Sequence, residues 1–394
     1  MGAIGVPNLL LIIHGYEFAT QRTPVFLRSA LSARTTPLHI HVFCDSGGCL
    51  GFRQAWRKHV LAEGLDYSGD IVSVIEETDD DSASTNMPSE SLQLLPGERR
   101  SSMPAHARAY LDGLHPRCRA RGYDYLFLKL YSAELLPEVD RLIVLDPDAI
   151  VLGDLAELWA EFDEFDERHV LSMAVDQSDR YYYRLQNPKD EVYSPGWAGV
   201  PHRVGVNGGV LLLHTSRARR VTFAAALSAL THVGAAERDR GRLDVFCDLA
   251  EQDALNFAIA RYPYIWRPLH CAWNYMDTSR GGHRMTPDQQ HTVNFYDTCD
   301  EEGLSGAAAE RPGDLLRCPC DRKIGILHFV GGVRTRPLLA QLNSTLLSMN
   351  GASLRELARS RASRPSWHPS TADDAPDAER HEATDGWQVH GNEL

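Results

Sequence analysis

The chain has 394 residues, 43% apolar and 24% charged, enough to bury a sizeable core in one large or two ordinary domains. Acids outnumber bases 53 to 40, for a net charge of -13, which argues against a general binder of nucleic acid or anionic membrane. No apolar run approaches the roughly 20 residues that span a bilayer, and the first, Asn8 to Tyr16, lacks the flanks of a signal peptide.

In chain order, "NLLLIIHGY" reads as a buried first strand. "QRTPVFLRSALSAR" puts Val25, Leu27, Ala30 and Leu31 at near-helical spacing. "PLHIHVFCDSGG", Pro37 to Gly48, alternates apolar and polar residues and stops at an acid followed by glycines, as a strand does. "FRQAWRKHVLAEGL" predicts an amphipathic helix and "DIVSVIEE" a third strand. This β-α-β-α-β order predicts an α/β fold, a mostly parallel central sheet covered by helices. From Thr78 to Ala105 the chain is polar, rich in Pro and Ser and without periodicity, and is expected to be a flexible surface insertion. "YLFLKLYSAELLPEVD" predicts helix ending near Pro137, followed by the strand "RLIVL" and a helix, "LAELWAEF", capped by Asp154. "VGVNGGVLLLH" is another buried strand, and "IGILHFVGGVR" a strand ending at His328. From about Ser360 the composition is that of a disordered tail. The expected organisation is one domain over residues 1–345, with the insertion at 78–105, and an extension over 346–394.

Eight cysteines, about one per fifty residues, are too sparse for a disulfide scaffold. Cys318 and Cys320, in "RCPCDRK", are candidates for a disulfide or a metal site, but no second Cys/His pair stands at zinc-like spacing.

The chemistry begins in "RLIVLDPDAIVLGDLAELW", where core material runs into two carboxylates, Asp146 and Asp148. Residues two apart on an extended chain point the same way, and burying both acids unpaired would be expensive. In an open α/β sheet such a strand end is where ligands bind. Two hard oxygen ligands on one face suit Mg²⁺ or Mn²⁺, ions that also take phosphate oxygens from a substrate. "GVNGGVLLLH" adds Asn207 beside glycines that let a ligand approach the backbone. "LAEQDALNFAIA" groups Glu251, Gln252 and Asp253 just before a helical run. His328 is a possible metal ligand, with Gly331 behind it and Arg334, a partner for phosphate, six residues on. Taken singly, these are a turn asparagine, a helix start, a core histidine and a solvated charge. Together with an Asp-x-Asp at a strand end they point to one site.

In their order, "LKLYSAELLPEVDRLIVLDPDAIVLGDLAELW", "VNGGVLLLH", "EQDALN" and "LHFVGGVR" resemble the family 8 glycosyltransferases, retaining enzymes of the GT-A fold. The resemblance runs from about Asn8 to Arg334. "RVGVNGGVLLLHTSRARR" and "LHCAWNYMD" are most similar to its glucoside and xyloside xylosyltransferase branch, which uses UDP-xylose. The resemblance implies a UDP-sugar donor, a glycan or glycoprotein acceptor, Mn²⁺ (Mg²⁺ as the alternative) and a secretory lumen. It implies that Asp146, Asp148 and His328 hold the metal, Asp146 also touching the ribose, and that Asn207 and Glu251 hold donor-sugar hydroxyls. Gln252 would lie under the anomeric carbon, Asp253 would orient its neighbours, and Lys129, Gly331 and Arg334 would face the diphosphate. The chain departs from the family's usual Asn-Ser-Gly at Gly208 and from its usual Asp-Gln-Asp at Glu251. Two other classes share parts of this pattern. A glycoside hydrolase would need its acid pair on opposite sides of a bond, whereas Asp146 and Asp148 face one point. A catalytically silent sugar-nucleotide-binding module is kept open by the two departures.

Overall fold

The structure, a computed structural model, describes residues 5–77, 92–95, 123–176, 205–220, 251–276 and 325–328. The strands are β1 (Asn8–Ile13), β2 (His39–Asp45), β3 (Ile71–Glu77), β4 (Leu92–Leu95), β5 (Leu142–Leu145), β6 (Ala149–Val151), β7 (Leu171–Val175), β8 (Val206–Leu213), β9 (Trp266–Pro268), β10 (Tyr275–Met276) and β11 (Ile326–His328). The helices are α1 (Tyr16–Ala33), α2 (Ser46–Trp56), α3 (Tyr123–Phe127), α4 (Ser132–Leu135), α5 (Leu155–Ala160), α6 (Thr215–Ala218) and α7 (Glu251–Arg261).

An eight-stranded sheet has the order β4-β3-β2-β1-β5-β8-β7-β9, and a three-stranded sheet the order β10-β11-β6. β1 to β5 pair in parallel, and β8 runs antiparallel to both β5 and β7. The expected mostly parallel α/β sheet is what forms. Its central strands read as continuous apolar runs because both faces are covered. Along β1, Leu9, Leu11 and Ile13 enter one core and Leu10 and Ile12 the other. Full burial of each such side chain contributes about 1.5–3 kcal/mol.

Two differences from the sequence expectation have local causes. α1 starts at Tyr16, ahead of Pro24, which lies inside the helix, because Gly15 takes a positive φ of 79° and turns the chain directly out of β1. Within the stretch expected to be an insertion, Leu92–Leu95 adds to β3 as a parallel edge strand, its short apolar run too brief to show periodicity. The rest of 78–105, the extension over 346–394, and Cys318 and Cys320 lie outside the described residues. Cys44 and Cys49 form a disulfide at the end of β2, and Cys271 is also disulfide-bonded. The expected Asp154 cap is present, its carboxylate accepting from the Ala156 N–H at 3.0 Å.

Candidate active site

Asp146-Pro147-Asp148 is the turn that joins β5 of the large sheet to β6 of the small one. Two pairings position it. The Asp146 N–H donates to the Gly209 carbonyl at 3.0 Å, which ties the turn to the start of β8. β11 pairs antiparallel with β6 in the register His328↔Ala149, so His328 lies beside the residue that follows Asp148. The imidazole Nε2 is therefore 3.4 Å from Asp146 Oδ2 and 3.7 Å from Asp148 Oδ1. The ring passes over Gly209, where an added Cβ would fall 2.2 Å from His328 Nδ1. No side chain fits there.

His328 Nδ1 is 3.1 Å from Asn207 Oδ1. With the ring hydrogen on Nδ1, the lone pair of Nε2 faces the two carboxylates, the arrangement that a metal-ligating histidine needs. Asn207 Oδ1 also receives the Gly209 N–H and the Asn274 amide, each at 2.9 Å. One ligand atom from each of Asp146, Asp148 and His328 lies within 4.8 Å of the others, the group among the described residues that could hold a metal ion. An octahedral ion bonded at about 2.1 Å needs donors about 3 Å apart when adjacent and about 4.2 Å apart when opposite. The observed Nε2–O distances fall in that interval, so the three residues fit a divalent cation.

Behind this cluster, Lys129 is buried, 2% exposed, with Nζ 2.6 Å from Asp146 Oδ1, 2.6 Å from Glu251 Oε1 and 3.1 Å from the Gly208 carbonyl. All three ammonium hydrogens have an acceptor. Burial disfavours the charge, but the Asp146 and Glu251 carboxylates outweigh it and hold Lys129 above the ordinary lysine pKa. Burial also opposes the Asp146 carboxylate, yet Lys129 and His328 pull its pKa well below the usual range. Asp148 is raised by burial and by Asp146, with His328, Arg22 and Lys129 acting the other way. Glu251 is raised by burial against the pull of Lys129.

Gln252 begins the other half of the site. Its Oε1 accepts from the Gly208 N–H at 2.9 Å and from Asn207 Nδ2 at 3.2 Å, and its Nε2 donates to Asp176 Oδ2 at 2.8 Å. Glu251 and Gln252 lie in α7 rather than ahead of a helical run. Asp253 lies on the same helix, and Gly331 and Arg334 fall outside the described residues. The geometry thus brings together Lys129, Asp146, Asp148, Asn207, Glu251, Gln252 and His328. Asp176 and Asn274 were missed. Asp176 follows the apolar strand β7 as Asp146 follows β5, which was a usable signal; Asn274 lies within "LHCAWNYMD", whose resemblance pointed to the family but to no role for it.

An open, mostly parallel α/β sheet with an Asp-x-Asp turn and a histidine converging at its carboxyl edge defines a GT-A type glycosyltransferase architecture. Residues 75–301 match the model of "Glycosyl transferase family 8", and the chain belongs to that family. The matched span holds both aspartates, Asn207, Glu251 and Gln252 but stops short of His328, which the β6–β11 pairing supplies. Curated relatives include xylosyl- and glucuronyltransferase LARGE2 of Mus musculus, 32% identical over 151 residues, 38% of this chain and 20% of that protein. LARGE1 of Danio rerio is 26% identical over 269 residues, 68% of this chain and 29% of that protein. The chain thus spans less than a third of the length of either relative. Among solved structures, the WbbM bifunctional glycosyltransferase superposes with a TM-score of 0.52 at 10% identity, covering 90% of this chain and 51% of that one. Mouse xyloside xylosyltransferase 1 gives 0.48 at 18% identity, covering 82% and 97%.

Proposed function

We propose that this chain is a metal-dependent retaining glycosyltransferase that moves a sugar, xylose foremost and glucose or galactose next, from a UDP-sugar to a hydroxyl of a glycan or glycoprotein. The observation that carries this reading is the convergence of Asp146, Asp148 and His328 on one point beside Gln252. Two carboxylates with one imidazole suit Mn²⁺ better than Mg²⁺, which prefers oxygen alone. When bound, the ion supplies positive charge where the departing diphosphate becomes negative.

The protein's own residues do the rest. Asn207 aims His328, and Lys129 fixes Asp146 and Glu251 relative to each other, so the metal side and the sugar side of the site share one buried cation. Glu251 and Asn207 are the groups for sugar hydroxyls, and Asp253 orients its neighbours. The family resemblance assigns Gly331 and Arg334, outside the described residues, to the diphosphate. A Lys129 contact with the diphosphate would be shared with its three present acceptors. Gln252 is held at both ends of its amide; on this reading it takes the place a nucleophile would need for double displacement, and an amide is a poor nucleophile. The reading is therefore front-face displacement. The bond from the anomeric carbon to the phosphate oxygen breaks, the acceptor oxygen bonds the same face, and its proton passes to the leaving phosphate. A covalent glycosyl-enzyme trapped on Glu251 or Asp253 in a Gln252→Ala variant would overturn it.

The disulfides support an oxidising, secretory lumen, and no helix of the described residues is long and apolar enough to cross a membrane. The test is UDP release from a panel of UDP-sugars with and without Mn²⁺. Turnover only with metal, highest with UDP-xylose, supports the proposal. UDP binding without turnover would favour the silent sugar-nucleotide-binding module.

A further inference from the structure

α1 lies along β6, where the Ser29 hydroxyl accepts from the Val151 N–H at 3.0 Å. Arg22 stands seven residues before Ser29, on the same helix face and about 10.5 Å back along the axis. Asp148 stands three residues before Val151, in the turn that leads into β6. β1 and β5 run parallel in the register Leu11↔Leu145, so α1, which leaves β1 through Gly15, begins at the edge where the Asp146–Asp148 turn lies; Arg22 is on that side of Ser29, and its charge is felt at the Asp148 carboxyl. Arg22 Nη1 is sealed from solvent and has no hydrogen-bond partner among the described residues. A buried donor without an acceptor is costly, and a planar guanidinium matches the geometry of phosphate oxygens. Lys129 is its opposite, with every hydrogen already committed.

We infer that Arg22 is a further donor-binding residue, a cation that grips the diphosphate of the nucleotide sugar from the α1 side of the Asp146–Asp148–His328 cluster. The inference rests on the function proposed above and names a residue outside the motifs that suggested it. Its consequence is a diphosphate held between the metal seat on one side and a helix-borne arginine on the other. Asp148 then lies between two cations, which offsets its charge when the site fills.

The test titrates UDP, uridine and Mn²⁺ separately into the wild type, Arg22→Ala, Arg22→Lys and the near-isosteric Arg22→Gln, with UDP measured in the presence of Mn²⁺. Thermal melting confirms that each variant is folded, and Arg22→Gln serves if Arg22→Ala is not. Arg22→Ala is expected to lose about tenfold or more in UDP affinity, with Arg22→Lys partly restored and uridine unchanged. Affinity for Mn²⁺ alone should not fall. Equal UDP affinity in the wild type and the variants would overturn the inference, and so would a parallel loss for uridine or for Mn²⁺ alone, which would make Arg22 a support for the fold or for Asp148. If the wild type itself binds no UDP, with or without Mn²⁺, the transferase reading fails as well.

Discussion

At Asn207 one amide oxygen receives hydrogens from Gly209, Asn274 and His328. That oxygen sets both the tautomer and the ring angle of the imidazole, and partners of this kind typically tune metal affinity 10- to 100-fold. Asn207→Ala is expected to weaken Mn²⁺ binding by about that factor in a calorimetric titration; an unchanged affinity would mean that His328 aims itself. Gly208 and Glu251 make a second local pair. An added Cβ at 208 would sit 3.1 Å from Glu251 Oε1, so the longer acid and the missing side chain fit each other. Gly208→Ser should lower kcat/KM for the donor sugar, and Glu251→Asp, by drawing the carboxylate back one methylene, should recover part of the loss. The expected coupling is about 0.5–3 kcal/mol in a double-mutant cycle, and strictly additive effects would separate the two residues. Residue types made most of this site legible: strand-end acids and glycine-flanked Asn207 announce themselves. Asp176 could be suspected from its place after an apolar strand, but nothing in the sequence shows that the ends of β7 and β8 meet, so the contacts of Asp176 and Asn274 required the structure.

α1 and β6 share an apolar core and a hydrogen bond in which the buried Ser29 hydroxyl takes the backbone hydrogen of Val151. Ser29→Ala leaves the Val151 N–H without that acceptor, at a cost of about 1–3 kcal/mol in urea unfolding. Because β6 carries the Asp-x-Asp turn, the same change should loosen Mn²⁺ binding; an unaltered denaturation midpoint would contradict this account of how the turn is anchored. The strands of the sheet were legible as apolar runs bounded by turns. The start of α1 was not, because the near-helical spacing is read only from Gln21 onward, whereas the chain enters the helix five residues earlier, at Tyr16. That early start puts Arg22 in the second turn of the helix rather than at its beginning. β4 escaped for another reason: its four residues pair only along one edge, and an isolated Leu-Gln-Leu-Leu has no period to detect.

On the scale of the whole molecule, the site joins chain segments that composition cannot connect. The Asp-x-Asp turn and His328 meet only because a small second sheet folds across the carboxyl edge of the large one. At the opposite end of β8 from Asn207, burial, with Arg217 and Arg141 adding, pushes His214 down to about 4. A histidine lowered in the folded state takes up its proton first in the unfolded chain, so its contribution to stability is full above about pH 6.5 and is lost as pH falls toward 4. Relative to the wild type, His214→Gln should therefore gain thermal midpoint on acidification across that window; a difference that is flat with pH would remove His214 from the acid response.

The shared-ion claim is tested most directly by Mn²⁺ titration of the wild type against Asp146→Asn, Asp148→Asn and His328→Gln, each shown by thermal melting without metal to be folded at the titration temperature. The account predicts one site in the wild type and loss of at least an order of magnitude in affinity for every one of the three. Wild-type affinity retained in the His328→Gln protein would contradict it.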